Sequence, residues 1–243
     1  MRKHLKIGLV VPFATDKVPI EGPLMYPDVT FIPKGVGVRA LTPEGYDAAW
    51  DGIVPAAKEL AKRGDLDAIM VIGTSLTFYR GYEAHQQLLE QLRKETGLPI
   101  STMSEAVVDG LRSMGAKRVA VATAYSDLVN DRLADFLRRS GFEVSSMKGF
   151  GILEFGGAEK MTEQDIIELS GKAIGEAKLA DAVLISCGGL MTLGCAVPIE
   201  DRHGIPVVTS TQSAFWKALR LAGDDGHVPG RGRMLAQSEP THA

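Results

Sequence analysis

One segment of this 243-residue chain joins a reactive side chain to a permissive backbone: Cys187-Gly188-Gly189, at the end of an apolar run. A thiol at a strand end can move a proton or attack an electrophile. Glycines beside it let the main chain approach a ligand closely. The competing reading is a buried structural cysteine. Gly73-Thr74-Ser75 closes a second apolar run. Its two hydroxyls and backbone N–H groups suit a carboxylate, although Thr-Ser turns also bond to their own backbone. Tyr125 ends a third run, where a phenol either donates to an anion or caps the core. Pro12 and Phe13 would supply an apolar wall near the same place. The second thiol, Cys195, lies in a less regular stretch and reads as structural. The five histidines (His4, His85, His203, His227 and His242) are scattered and read as surface residues. No Cys-x-x-Cys or Cys/His spacing marks a metal site, and two cysteines build no disulfide framework.

These residues need strands to carry them. Short Val- and Ile-rich runs alternate with longer amphipathic ones, the pattern of βα units on a parallel sheet. The runs predict strands at 6–12, 68–73, 99–102, 118–124, 182–187 and 206–209. Thr42 followed by Pro43 predicts a capped helix start, Ser104 begins a helix at 104–114, and Thr162 with Asp165 resembles a capping box. Gly115, Gly141 and Gly223 sit where helices should stop. The stretch 90–95 reads as a solvated helix face, and the Gly/Pro-rich stretch 224–243 is expected to end in disorder.

The chain also repeats. The segment from Leu5 to Phe13 matches that from Lys117 to Tyr125, Asp67 to Gly73 matches Asp181 to Cys187, and Gly97 to Ile100 matches Gly204 to Val207. The offsets of 112, 114 and 107 residues describe a duplicated lobe, not a solenoid. The expected organisation is a first lobe at 1–115, with 213–243 packing back on it, and a second at 116–212. Ligands of parallel α/β sheets bind beyond the carboxyl ends of strands. Two facing lobes would therefore pool loops 12–16, 73–78, 125–127 and 187–190 in one cleft. Under the repeat, Gly73 and Cys187 are equivalent: one lobe brings a thiol where the other brings no side chain.

Composition narrows the field. Hydrophobic residues make up 45% of the chain and the net charge is −3, which suits a globular protein and excludes a basic nucleic-acid stripe. No stretch approaches the ~20 apolar residues of a membrane span, and no signal peptide is read at the start. The expectation is a cytoplasmic, monomeric protein acting on a small molecule, without nucleic-acid or membrane partners.

Taken together, Gly73-Thr74-Ser75-Leu76-Thr77-Phe78-Tyr79-Arg80-Gly81, Thr123-Ala124-Tyr125 and Ser186-Cys187-Gly188-Gly189-Leu190 resemble the arylmalonate decarboxylase family, within the aspartate/glutamate racemase superfamily. The likeness extends to Tyr26-Pro27-Asp28, Thr42-Pro43-Glu44-Gly45-Tyr46-Asp47 and Phe215-Trp216, up to about Gly232. It implies an α/β fold of two pseudo-symmetric lobes, parallel sheets flanked by helices, with the active site in the cleft between them. It implies cofactor-independent decarboxylation of a disubstituted (aryl or alkenyl) malonate dicarboxylate to a chiral 2-substituted acid, through an enediolate protonated by Cys187. Thr74, Ser75 and Tyr125, with backbone N–H groups near Cys187 and Gly188, would hold one carboxylate. Pro12, Tyr46, Gly73 and Gly189 would shape the cleft, and Val38, Leu41 and Leu76 the apolar pocket for the departing carboxylate. Racemases of the superfamily place two cysteines across the cleft, so Gly73 argues against the alternative of a racemase or maleate-type cis–trans isomerase. A non-catalytic carboxylate-binding protein is the third reading; it would need no cleft thiol. The loop at 152–161, with Ile152-Leu153-Glu154-Phe155-Gly156-Gly157-Ala158, departs from the family's pattern where that family walls the pocket.

Overall fold

The computed structural model describes residues 4–237. In chain order they form β1 (Lys6–Val11), α1 (Glu21–Met25), β2 (Thr30–Gly35), α2 (Pro43–Ala61), β3 (Ala68–Val71), α3 (Thr74–Phe78), α4 (Tyr82–Thr96), β4 (Ile100–Thr102) and α5 (Met103–Ser113). A second series follows: β5 (Arg118–Thr123), α6 (Asp127–Arg139), β6 (Glu143–Gly149), a 3-10 turn at Gly157–Lys160, α7 (Glu163–Glu176), β7 (Ala182–Ser186), α8 (Ala196–His203), β8 (Val207–Thr209) and α9 (Ser210–Leu221).

The strands build two four-stranded parallel sheets of the same order, β2-β1-β3-β4 and β6-β5-β7-β8. Their registers repeat as well as their order. Ile7 lies opposite Ala68 in the first sheet and Val119 opposite Ala182 in the second. Ile69 faces Ile100, and Val183 faces Val207. An aspartate fixes the same corner of each: Asp67 accepts the Lys6 N–H at 2.9 Å, and Asp181 accepts the Arg118 N–H at 2.7 Å. The inner strands β3 and β7 are buried along their whole length, as expected of parallel sheets covered on both faces. The α/β class with paired parallel sheets, expected above, is the architecture observed.

Local signals account for the helix ends. Thr42 accepts the Gly45 N–H ahead of Pro43, and Thr162 with Asp165 forms a reciprocal capping box. Gly115, Gly141 and Gly223 all have positive φ just past a helix. Three expectations need correction. The helix expected from Ser104 starts at Met103, and its cap is Thr102, whose side chain accepts the Glu105 N–H at 3.1 Å. The strands before the cleft stop at Val11, Val71, Thr123 and Ser186, because the residues after them turn into the cleft loops. Edge strands β2 and β6 were not anticipated: they are half-buried, carry polar residues, and in β2 include Pro33, which only an edge tolerates well. The expected terminal disorder concerns residues 238–243, outside the described residues. The preceding part is packed, with Met234 and Leu235 buried.

The two series are joined through their last helices. α9 packs along α5 and also against α1, β3 and β4 of the first series. Phe215 of α9 stacks edge-on against Phe31 at 5.0 Å between ring centroids, and Tyr26 donates to the Gly226 carbonyl at 2.7 Å. The starts of both helices reach the carboxyl ends of the inner strands: Met103, the first residue of α5, accepts the Gly73 N–H after β3, and Ser210, the first of α9, bonds to Thr74 after β3 and to Ser186 at the end of β7.

Candidate active site

Cys187 follows β7 and is buried, 8% exposed. The next residues turn back at once: the Leu190 N–H donates to the Cys187 carbonyl, and the Gly189 N–H donates to Sγ at 3.4 Å. Burial pushes the thiol pKa up to about 11, against weaker lowering by the Gly189 and Leu190 N–H groups and the Tyr125 hydroxyl. The resting group is therefore a neutral thiol, able to donate a proton. The geometry leaves little freedom for side chains here, since a Cβ on Gly189 would come within 3.2 Å of Ala158 Cβ.

Gly73 occupies the equivalent place after β3. Its φ of +116° is a conformation that L-residues rarely adopt, and its N–H points at Met103 Sδ, 3.4 Å away. The position is not open space. An added Cβ would lie 3.2 Å from Leu76 Cβ and 3.8 Å from Pro12 Cβ. Thr74 and Ser75 begin α3, whose first N–H groups have no acceptor within the helix. The α5 terminus braces this turn, with Ser104 donating to the Thr74 carbonyl at 2.9 Å and sharing a 2.7 Å bond with Thr77.

Hydroxyls fill the interior behind the thiol. Tyr125 is fully buried; its Oη is 3.4 Å from Ser186 Oγ and lies beside Thr74 and Cys187. Desolvation raises its pKa well above the usual tyrosine value, so it stays a donor. Tyr46 is also buried, and desolvation raises its pKa. Its hydroxyl lies near Ser75 and Cys187 but makes no bond of ordinary length among the described residues. A buried donor left this way costs ~1–3 kcal/mol and gains most from an incoming acceptor.

One cavity of ≈ 60 Å³ collects these groups. Pro12, Val38, Leu41, Tyr46, Gly73, Thr74, Ser75, Leu76, Cys187, Gly188 and Gly189 all line it, together with Phe13 and Ile72. Tyr125 reaches it from behind, through its contacts with Thr74 and Cys187. Cys195 does not line it; that thiol is buried near the Glu163 and Met191 carbonyls, both 3.8 Å away. Among the described residues, no Lys or Arg lines the cavity, and no cluster of three or more His, Cys, Asp or Glu could hold a metal ion. No helix among them is long and apolar enough to cross a membrane.

Residues 7–235 match the model of the arylmalonate decarboxylase family. The chain belongs to that family. It is 43% identical over 236 residues to the arylmalonate decarboxylase of Bordetella bronchiseptica, covering 96% of this chain and 97% of that one. It superposes with a TM-score of 0.93 on a liganded double variant of arylmalonate decarboxylase, in which cysteine replaces a glycine and serine a cysteine; identity is 40%, with 96% of this chain and 99% of that one covered. A decarboxylase-type enzyme is thereby established. A maleate isomerase of Pseudomonas putida S16 shares the fold at a TM-score of 0.88 but only 22% identity, covering 98% of this chain and 100% of that one.

The loop at 152–161, for which the sequence left the outcome open, has a definite place in this decarboxylase-family chain. Phe155, Gly156, Ala158 and Glu159 line the cavity, so the loop at 152–161 walls it. It is tied to the opposite lobe by an antiparallel bridge between Ala40 and Glu154, by the Leu41 N–H donating to the Leu153 carbonyl at 3.1 Å, and by an edge-on Phe13–Phe155 pair. Pro19, unforeseen, completes the wall.

Proposed function

We propose that this enzyme decarboxylates disubstituted (aryl or alkenyl) malonates without a cofactor, giving a chiral 2-substituted carboxylic acid by protonation of an enediolate from Cys187. The observation that carries the reading is a single neutral thiol lining one cavity with the neutral donors Thr74, Ser75 and Tyr46, at a place where the other lobe supplies only Gly73. One carboxylate is held by Thr74, Ser75 and Tyr125, with N–H groups near Cys187 and Gly188, and the Tyr46 hydroxyl is within reach of the same group. These donors stabilise charge as it develops on the retained carboxylate and α-carbon. The other carboxylate lies against Val38, Leu41 and Leu76, joined here by Ala158. That surface solvates an anion poorly and neutral CO2 well. The aryl or alkenyl group supplies the delocalisation that a cofactor otherwise provides. Proton delivery from one face yields one enantiomer. The lobes act as 1–115 with 213–243 returning to it, and 116–212.

The isomerase alternative requires a second cleft thiol, and the only other cysteine, Cys195, lies outside the cavity. The test is incubation of the purified protein with phenylmalonate and a chelator, following CO2 release. Turnover that persists with chelator supports the reading; turnover of maleate but not of phenylmalonate would overturn it.

A further inference from the structure

Four buried hydroxyls from four separate segments run behind the carboxylate donors. Thr74 Oγ1 donates to Ser210 Oγ at 2.7 Å, Ser210 donates to Ser186 Oγ at 3.5 Å, and Ser186 Oγ lies 3.4 Å from Tyr125 Oη. Thr74 belongs to the first lobe, Ser186 and Tyr125 to the second, and Ser210 opens α9, the helix that packs on both. None of the four is more than 2% exposed. Their protons must therefore be shared among themselves and with whatever enters the cleft.

That sharing poses a problem of proton direction. A hydroxyl carries one proton. In the arrangement observed, the proton of Thr74 is spent on Ser210 and is not aimed at a ligand. If a carboxylate takes that proton, Thr74 needs a new donor behind it. Ser210 can supply one by turning its own proton from Ser186 toward Thr74, and Ser186 can then donate to Ser210. Tyr125, released from Ser186, donates to the same carboxylate. Before, three bonds join the four hydroxyls and one proton of the Ser186–Tyr125 pair has no acceptor in the chain; after, each hydroxyl donates once, no proton changes owner, and no charge is created inside the protein. A chain of this kind strengthens its terminal bonds as the acceptor gains charge.

We propose that Ser210 is a positioning residue for the decarboxylation reaction, reversing the hydroxyl chain so that Thr74 and Tyr125, from opposite lobes, aim their protons together at the retained carboxylate. This rests on the carboxylate role of Thr74 argued above. It assigns to Ser210 a function that acts through Thr74 and is felt most when negative charge develops.

The test compares steady-state kinetics on phenylmalonate for the parent, Ser210→Ala, Thr74→Val and the double variant, with melting temperatures read alongside. Ser210→Ala should lower kcat about tenfold, the equivalent of one charge-assisted hydrogen bond, and leave KM within about twofold. In the Thr74→Val background the same change should cost less than about twofold, because the residue it acts through is gone. Ser210→Cys, close in size but a weak donor, should resemble Ser210→Ala, and Ser210→Thr should keep most of kcat. If Ser210→Ala is too unstable to assay, the Cys and Thr variants carry the comparison. Equal losses in both backgrounds, or a loss proportional to melting temperature, would show a structural role and overturn the proposal. So would an unchanged kcat in Ser210→Ala when Thr74→Val is impaired. An unchanged kcat in Thr74→Val would instead overturn the carboxylate site itself, and the proposal with it.

Discussion

Gly73→Cys puts a second thiol at the position equivalent to Cys187, and the structure sets its cost. The backbone there has φ +116°, and the new Cβ would meet Leu76 Cβ at 3.2 Å, tighter than ordinary contact. Holding an L-residue in such a conformation costs ~1–3 kcal/mol, which for a chain of this size is a melting-temperature drop of ~2–12 °C. Decarboxylation should fall, since relief of the strain moves Thr74 and Ser75, the next residues in the chain. The product should change more than the rate. A thiol on each side of a planar enediolate allows protonation from either face, so enantiomeric excess should fall well below that of the parent. Slow racemisation of the 2-aryl acid should appear as one thiolate removes the α-proton and the other thiol returns one. Gly73→Ala is the control: it carries the same strain without the thiol, and should lose rate while still giving one enantiomer. The assay is chiral chromatography of the acid formed from an aryl methylmalonate. An active Gly73→Cys enzyme that still gives only the parent's enantiomer would refute the facing of the two positions, and with it the duplication argument for the mechanism.

Three further outcomes are expected. Cys187→Ala should fold and lose nearly all turnover, whereas Cys195→Ala, altered outside the cavity, should keep most of it; the reverse pattern in decarboxylation assays would reassign the proton donor. With its pKa pushed to about 11 by burial, Cys187 should alkylate at pH 8 roughly a hundredfold more slowly than an ordinary exposed thiol, and kcat should show no loss from thiol ionisation below about pH 10; rapid labelling of Cys187 by iodoacetamide at pH 7 would contradict this. Glu21 is buried, and desolvation raises its pKa from 4.5 to about 7, opposed chiefly by the hydrogen bonds it accepts from Thr192. A raised folded-state pKa favours the folded protein below pH 4.5, and that contribution is lost as pH rises to about 7. Denaturant titrations should thus show ~3 kcal/mol of pH dependence across that window that Glu21→Gln lacks; parallel curves for the two proteins would disprove the shift.

Much of this protein is readable along the chain, because its strongest signals are local. A strand buried on both faces must be apolar throughout, so β1, β3, β5 and β7 stand out, and their order and spacing expose the duplication. Helix caps at Thr42 and Thr162 depend on residues three apart. The equivalence of Gly73 and Cys187 follows from counting along matched strands, and the matched registers of the two sheets repeat it. The edge strands β2 and β6 escape such reading because they are only half-buried and carry polar residues, whereas β4 and β8, also at sheet edges, are buried and apolar enough to be read.

What only the tertiary structure decided lies between segments. Thr74 bonds to Ser210 across 136 residues, and Glu21 to Thr192 across 171. A serine or a glutamate in those places carries no pattern of its own, because a polar side chain is equally at home in water until a fold buries it and makes its partners obligatory. The pKa of Cys187 is of the same kind, set by burial and by the turn that follows, not by its neighbours' identity. The loop at 152–161 shows it most plainly. Contacts of Glu154 with Ala40, of Leu153 with Leu41 and of Phe155 with Phe13 bring Phe155, Ala158 and Glu159 to the cavity wall, because where a loop lies is determined by the rigid elements at its ends and by the surface it meets.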